Sequence, residues 1–350
     1  MKVKKKFLQK ALLLLTSILF VFLYSSLIFN NHGVTDARNY YSFFQLIEDA
    51  GLIKFVSESY IASGKLEFVL YFFYLLISKF IEPNDFYLFT LANYTLILSI
   101  TLYAFYTYSR HFFNSKYLTV TLYSLLVSFS WFPSYLNMLW LWRTDLAYAI
   151  LLCSFFFYIT GRYLRFFILL IIAIFTHYSS IPIIIVLLCI YHFIKNIHSI
   201  SLGIKKTIVL FIAILGATLY KTVKKGFTSG DGVWESNFYL GNFILIYFFV
   251  GFILVYLTLN RIDKNRQKPA FDFFATSMYF SLFSFVIAIS SNGNHQDITR
   301  VMHFSFLLYT FLLPAMFLYA SRIQKYLILI YSLSGCIATI YLWFNLLTSI

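Results

Sequence analysis

Charged side chains are scarce in this chain, and acidic ones are the scarcest. Of 350 residues only 11% are charged, with 13 Asp and Glu against 27 Lys and Arg, while 61% are hydrophobic. A water-soluble domain of this length could not bury so much apolar surface, so a soluble enzyme or binding module is excluded. Apolar runs such as 239–259 are long enough to span ~30 Å of hydrocarbon. The composition therefore predicts an all-α polytopic membrane protein.

Cysteine is also rare, and nucleotide-binding motifs are missing. Cys153, Cys189 and Cys336 lie within apolar runs and lack the short spacings of metal ligands, so we expect them to pack inside the protein. The sequence contains no Walker lysine loop, no dinucleotide fingerprint and no cluster of metal-ligating residues. It therefore predicts no cofactor and no direct use of ATP.

The N-terminal segment is basic and then apolar. MKVKKK precedes an apolar run, Phe7 to Phe29, that is longer than the core of a usual signal peptide, and no small-residue cleavage site precedes Asn30. We interpret it as a retained first span with cytoplasmic lysines. In a soluble protein the net charge of +14 would suggest nucleic acid, but here Lys and Arg cluster in short loops between apolar runs. This positive-inside pattern predicts the lipid bilayer as a partner and no nucleic acid.

Placing the basic clusters in the cytoplasm gives about 11 transmembrane helices and an external C-terminus. The predicted spans are 7–29, 86–109, 117–135, 144–160, 163–177, 180–194, 207–220, 239–259, 271–290, 301–320 and 323–348. The run 66–81 is short, carries Glu67 and Lys79 and precedes Pro83, so we predict one re-entrant or interfacial helix there. The loop 30–65 predicts amphipathic helices along the outer interface. We expect 1–350 to form a single integral-membrane domain.

Polar side chains at the external membrane boundaries are the candidates for function. In this topology they all fall on the same face: Asp36, Arg38, Glu67, Arg143, Asp145, His177, His295, Asp297 and Arg300. A chance distribution would divide them between both faces. An ionisable residue near hydrocarbon is energetically unfavourable and is therefore a functional candidate by default. The chemistry is expected to face outward.

Arg143 and Arg300 each stand at the start of a long apolar helix, in WLWRTDLAYAILL and NGNHQDITRVMHF. A guanidinium at the mouth of a helix bundle is suited to bind a diphosphate through paired hydrogen bonds. Alternatively either is a snorkelling cation, and Arg143 could instead form a salt bridge with Asp145. Two such cations on one face would suit a substrate with two phosphates or two lipid-linked ligands.

His177, Asp36 and Glu67 are the candidates for proton transfer. His177 interrupts an apolar run from Tyr163 to Ile194, and its imidazole is suited to act as a general base or to hydrogen-bond a phosphate. The alternative is a polar turn between two short spans. Asp36 is suited to deprotonate or orient a sugar hydroxyl; otherwise it is a capping or solvated loop acid. Glu67 is either an acid placed favourably at a helix N-terminus or a buried carboxyl near Asp36.

Five short segments occur in a characteristic order along the chain. They are GVTDARNYY, KLEFVLYFFYLL, WRTDLAYAILL, IFTHYSSIPI and ITRVMHFSFLLY. In their order and spacing the chain resembles the EpsG-type branch of the Wzy polysaccharide polymerases, which occur in capsule, exopolysaccharide and O-antigen clusters. It departs from the pattern of that branch at Ala37, which replaces tyrosine, at Phe68, which replaces proline, and at Thr144-Asp145, which replaces a glutamine step.

The resemblance implies a membrane glycosyltransferase. Such an enzyme transfers a growing glycan from undecaprenyl diphosphate onto a lipid-linked oligosaccharide repeat unit at the outer face of the bacterial inner membrane. The resemblance also implies catalytic roles for Asp36, Glu67 or His177, and diphosphate binding by Arg143 and Arg300. Flippase and chain-length regulator proteins are further implied partners. Two alternatives stay open: a flippase or transporter of the lipid-linked oligosaccharide, and a membrane O-acetyltransferase that modifies the glycan.

Overall fold

The fold is that of a computed structural model, which describes residues 2–30, 37–50, 54, 57, 68–130, 141–196, 238–262, 268–289 and 295–348. Within these residues the chain is helical and contains no strand. The helices are α1 (Lys2–Asn30), α2 (Ala37–Ala50), α3 (Val69–Ile77), α4 (Phe86–Phe113), α5 (Tyr117–Ser130), α6 (Trp142–Ile159), α7 (Tyr163–Thr176), α8 (Ser180–Asn196), α9 (Phe238–Leu259), α10 (Lys268–Ile289), α11 (His295–Tyr319) and α12 (Arg322–Thr348). The predicted all-α fold is confirmed.

Most of the long helices are apolar enough to cross a membrane. By length and composition, seven of the described helices qualify: Lys6–Phe29, Phe86–Phe113, Trp142–Ile159, Gly241–Leu259, Lys268–Ile289, Ile298–Tyr319 and Arg322–Tyr341. Three shorter apolar helices accompany them: Tyr117–Ser128, Tyr163–Thr176 and Ser180–Lys195. Together they overlap every predicted span except 207–220, which lies outside the described residues.

The run 66–81 contains the short helix that its sequence predicts. α3 has nine residues, or ~14 Å at 1.5 Å per residue, which is too short to cross the hydrocarbon core. The chain then turns, and the Asp85 carboxylate caps α4 by accepting a hydrogen bond from the N–H of Leu88 (2.9 Å). Burial, together with the negative charge of Asp85, raises the pKa of Tyr41 in α2. α2 therefore lies beside the start of α4, and its Tyr41 is a neutral phenol at physiological pH.

The three cysteines differ in their exposure. Cys153 is buried in α6, Cys336 is half-buried in α12, and Cys189 is exposed on α8. The prediction that all three pack inside the protein is wrong for Cys189. It follows Ile185 by one helical turn and shares the exposed face of α8 with it. An apolar sequence does not by itself distinguish this face from the packed one.

The chain packs into two compact units. The first comprises Met1–Ser130, Tyr135–Ile184 and Thr339–Ile350, and the second comprises Trp131–Ser134 and Ile185–Ala338. The single integral-membrane domain expected for 1–350 stays a prediction.

In the first unit the basic segments gather at one end of the helices, which we call the basic end. Gln9 donates a hydrogen bond to the hydroxyl of Thr119 (2.9 Å), which joins the start of α1 to the start of α5. The end of α4 meets the end of α6, where the rings of His111 and Phe156 are 5.7 Å apart. A tight turn at Gly161 (φ +74°) starts α7 beside them. The cations near this end are Lys6, Lys10, Arg110, Lys116, Arg162 and Arg165. Basic residues from three separate segments of the chain therefore share one side of the unit.

In the second unit, α9 and α12 are joined by a pair of tyrosines. Tyr247 donates a hydrogen bond to the Tyr331 carbonyl (2.6 Å), and Tyr331 donates one to the Tyr247 carbonyl (2.9 Å). Their rings stack with centroids 4.4 Å apart. Gly251 makes room for this pair, because a Cβ at that position would lie 2.5 Å from the Tyr331 hydroxyl. A larger residue there would displace the Tyr331 ring and disturb its hydrogen bond.

Candidate functional site

The first residues of α6 lie at the end of the first unit opposite the basic end. Trp142 begins α6 and is 1% exposed. Its ring packs against Tyr40 of α2 (5.9 Å between centroids) and against Tyr94, near the start of α4 (5.3 Å). Because α4 ends at the basic end, its start lies at the opposite end of the unit. We call this the aromatic end, and Arg143 follows Trp142 directly.

The side chain of Arg143 is directed into the protein. The residue is half-buried, and its Nε atom is buried. A snorkelling arginine also buries its stem and extends the end of its guanidinium toward water, so the buried Nε fits that interpretation as well as it fits an anion site. Asp145 lies in the first turn of the same helix and is 9% exposed. A carboxylate at this position interacts favourably with the positive end of the helix dipole.

Tyr74 of α3 is a buried polar group within electrostatic reach of Arg143. The residue is 0% exposed, and its hydroxyl has no hydrogen-bond partner among the described residues. The Arg143 charge acts electrostatically on this phenol. The ring packs against Phe89 (5.1 Å) and Phe44 (6.3 Å). The aromatic end thus combines a cation and a buried hydroxyl within an apolar wall.

His177 lies in the turn between α7 and α8. Its backbone is extended (φ −159°, ψ 122°), and its N–H donates a hydrogen bond to the Ala173 carbonyl (2.9 Å). Its own carbonyl accepts one from the N–H of Ser180 (3.0 Å), which begins α8. The predicted polar turn between two short helices is therefore confirmed. This geometry is compatible with a chemical role, because the side chain is only half-buried.

The turn that carries His177 is held against α6 and α3. The hydroxyl of Tyr148 donates a hydrogen bond to Ser179 Oγ (3.0 Å), and Tyr148 is 3% exposed. Phe175 packs against Phe68, immediately before α3 (5.0 Å between ring centroids). The structure thus brings Arg143 and His177 to the same end of an antiparallel pair of helices.

Comparison with known families identifies the chain. The EpsG family matches residues 12–350. The chain belongs to the EpsG family. Membership suggests a polysaccharide polymerase-like role, and together with the long apolar helices it makes this a membrane protein. No curated protein and no solved structure matches the chain.

Two predicted site residues of this EpsG-family protein, Asp36 and Glu67, lie outside the described residues. The chain next to each of them belongs to the aromatic end. Tyr40 stands one turn into the helix that begins after Asp36, and it stacks on Trp142. Phe68 follows Glu67 and contacts the helix that ends at His177. The roles of both acids stay predictions.

Arg300 lies in the second unit, in the second turn of α11. It is exposed, unlike Arg143. The predicted span begins at 301, whereas α11 begins at His295, so Arg300 lies within the helix rather than before it. Within this unit an exposed arginine fits the snorkelling interpretation as well as it fits an anion site. Its role as a second ligand of a diphosphate stays a prediction.

The second unit contains buried polar side chains that the sequence analysis did not predict. They lie on α10 and α11: Asp272, Thr276, Ser277, Ser281, Ser284, Thr299, His303, Ser305 and Thr310. His303 is 2% exposed. Ionisable side chains inside membrane helices are unfavourable and therefore informative. The available sequence signal was Asp272 and His303 within long apolar runs. Among the described residues, no group of three His, Cys, Asp or Glu could hold a metal ion.

Proposed function

We propose that this protein is a membrane glycosyltransferase of the polymerase type. It would transfer a growing glycan from undecaprenyl diphosphate to a hydroxyl of a lipid-linked repeat unit. The observation that carries the proposal is the placement of Arg143 and His177 at one end of the first unit, opposite the clustered cations of the basic end. By the positive-inside rule the basic end is cytoplasmic. The aromatic end then faces outward, where lipid-linked glycans are presented.

The reaction needs an anion site and a base. The acceptor hydroxyl attacks the anomeric carbon of the donor sugar, the bond from that carbon to the phosphate oxygen breaks, and undecaprenyl diphosphate leaves. Arg143 would bind the diphosphate and stabilise the charge that develops on the leaving oxygen. Asp36, Glu67 or His177 would accept the proton from the hydroxyl. The sugar–phosphate bond is already activated, so no nucleotide is consumed.

The surroundings of Arg143 suit this role. An arginine that follows the buried Trp142 and has the buried Tyr74 within electrostatic reach would act on an anion in a medium of low dielectric, where charge interactions are stronger than in water. Aromatic rings such as Tyr40 also offer flat apolar surfaces against which sugar rings can pack. Arg300 would be a second ligand of a diphosphate in the same reaction. A flippase would act before the protein, and a chain-length regulator would act on its product.

The test is a deletion strain complemented with Arg143→Ala or His177→Ala. Arg165→Ala is the matched control, because Arg165 is an exposed cation at the basic end whose guanidinium lies 5.6 Å from the Phe157 ring. We expect both site variants to insert normally and to accumulate a single-repeat product on gels. The control should retain long chains.

Other outcomes would contradict the proposal. Long glycan chains in both site variants would contradict the assignment of Arg143 and His177 to the site. Repeat units trapped on the cytoplasmic face in the deletion strain would identify a transporter. Loss of acetyl esters at unchanged chain length would identify an O-acetyltransferase.

A further inference from the structure

A groove in the first unit is lined by α1, α4 and the start of α5. It has a volume of about 440 Å³ and extends from Lys10 and Tyr106 to Phe22 and Leu91. From Lys10 to Phe22 a helix rises ~18 Å at 1.5 Å per residue. This is about the depth of one leaflet, since the whole hydrocarbon core measures ~30 Å. The groove therefore begins at the basic end and follows the depth of the adjoining leaflet.

The lining of the groove offers hydrocarbon and few hydrogen bonds. Its side chains are mostly leucine and other apolar residues, with small ones at Ser17, Thr95 and Ser99 that leave the space open. The Ser17 hydroxyl donates to the Leu13 carbonyl (2.7 Å), and the Thr95 hydroxyl donates to the Leu91 carbonyl (2.7 Å). Because these hydroxyls are bonded within their own helices, they present methylene and methyl groups outward. Such a lining fits a flexible alkyl chain and not a sugar.

A cation stands at the mouth of the groove. Lys10 lines it and is exposed, and Lys6 lies one turn earlier on the same helix. The sequences of α1, α4 and α5, the three helices that form the groove, contain no Asp or Glu. A ligand that places its chain in the groove therefore meets positive charge and no acid of these helices at the level of the headgroups. This charge favours an anionic headgroup over a zwitterionic one.

We propose that this groove holds one acyl chain of an anionic phospholipid, with its phosphate against Lys10. The inference does not depend on the proposed transferase activity, which lies at the opposite end of the unit. Bulk lipid touches every exposed face of a membrane helix. This groove differs because its shape fits one chain and its mouth carries a charge that selects the headgroup. The bound lipid would fill the gap between α1 and α4 and stabilise their packing.

The experiment measures lipid retention on the full-length purified protein by native mass spectrometry. The probes are phosphatidylglycerol, phosphatidylethanolamine and undecaprenyl phosphate. Ser17→Phe fills the groove, and Ser334→Phe is its control, because Ser334 is an exposed serine of α12 whose hydroxyl is likewise bonded to its own helix. Lys10→Gln removes the charge without filling the space. Ser99→Leu is a milder filling variant if Ser17→Phe does not fold.

We expect the unmodified protein to retain one phosphatidylglycerol in preference to phosphatidylethanolamine. Filling the groove should abolish this retention, and Ser334→Phe should not. Lys10→Gln should reduce the preference about five-fold, the effect of one lysine near an anionic surface. Equal retention by the filled variants would overturn the proposal, as would a preference that Lys10→Gln leaves unchanged. Displacement of phosphatidylglycerol by equimolar undecaprenyl phosphate would also overturn it, since the occupant would then be the isoprenoid carrier.

Discussion

Arg143 and Arg165 stand at opposite ends of the same helical pair, and their surroundings differ. Arg165 begins α7 at the basic end, where it is exposed and lies over the face of Phe157. Arg143 begins α6 at the aromatic end, where its Nε is buried and Tyr74 lies within its electrostatic reach. An exposed cation beside other cations sets topology. A half-buried cation in an aromatic wall needs a different explanation, and anion binding provides one.

The comparison shows that burial separates two roles of one residue type. Both arginines are the second or third residue of a helix, and both flank an apolar run. Their sequence contexts are therefore alike. The difference arises from α2 and α3, which pack at the aromatic end, whereas the described chain at the basic end has a single turn of 3-10 helix, Asn114–Lys116. An anion site needs surrounding apolar side chains as well as a cation, and these two short helices provide such side chains.

The largest effect is expected for Arg143→Ala. Removing one group that stabilises developing negative charge lowers a rate about 10²- to 10³-fold. Arg143→Lys should restore only part of this loss, because an ammonium cannot form the paired hydrogen bonds of a guanidinium. The measurement is the initial rate of chain extension from purified lipid-linked repeats. A similar loss of rate in Arg165→Ala would contradict the prediction, because the two ends of the unit would then not differ in function.

Tyr148→Phe tests whether the placement of His177 matters for activity. The variant loses the hydrogen bond to Ser179, which costs about 1 kcal/mol of stability. We also expect the rate to fall about ten-fold. The turn loses its hydrogen bond to α6, and a small displacement of a reacting group lowers a rate strongly. Tyr108→Phe is the matched control, since the Tyr108 hydroxyl donates to the Leu152 carbonyl (3.0 Å) on the side of α6 nearer the basic end. It should show the same loss of stability at full activity; equal rates in both variants would contradict the prediction.

Tyr74→Phe should separate stability from function. A buried hydroxyl that has no partner among the described residues is unfavourable, so its removal should leave the free energy of unfolding unchanged or raise it by about 1 kcal/mol, and Tm should stay constant or rise accordingly. If the hydroxyl contacts substrate beside Arg143, the rate should fall several-fold in the same variant. Residues kept for function at the expense of stability behave in this way. Unchanged rate and raised Tm together would make Tyr74 a packing residue only.

The sequence predicts the helices well because long apolar runs leave few alternatives in a membrane. Spans such as 86–109 and 239–259 coincide closely with α4 and α9. The errors lie where hydropathy does not decide the outcome. α11 begins at His295 because polar residues there continue the helix beyond its apolar part. Cys189 is exposed because an evenly apolar helix such as α8 does not reveal which face is packed.

The site is predicted less completely than the fold. Arg143 and His177 stand out because polar residues are rare in this chain, and the structure brings them to one end. Tyr74 and Tyr148 carry no such signal, since 29 tyrosines occur in the sequence and most are expected in interfacial belts. In the structure Tyr74 is distinguished by its buried hydroxyl, and Tyr148 by its hydrogen bond to Ser179. Hydropathy does not position the second unit, so the sequence does not determine whether Arg300 belongs to the site.

The smallest effect is expected at the basic end, for Gln9→Ala. The variant removes an exposed hydrogen bond between Gln9 and Thr119 that joins α1 to α5. Exposed bonds of this kind contribute less than about 1 kcal/mol, so Tm should fall only slightly and chain extension should be unchanged. The assay is thermal unfolding in detergent alongside the rate of extension. The basic end would then be tolerant because its contacts maintain packing alone, whereas contacts of the same strength at the aromatic end would also position the proposed reacting groups. A marked loss of rate in Gln9→Ala would show that the two ends are coupled. The residues that surround Arg143 and Arg165 would then not explain why the two arginines differ.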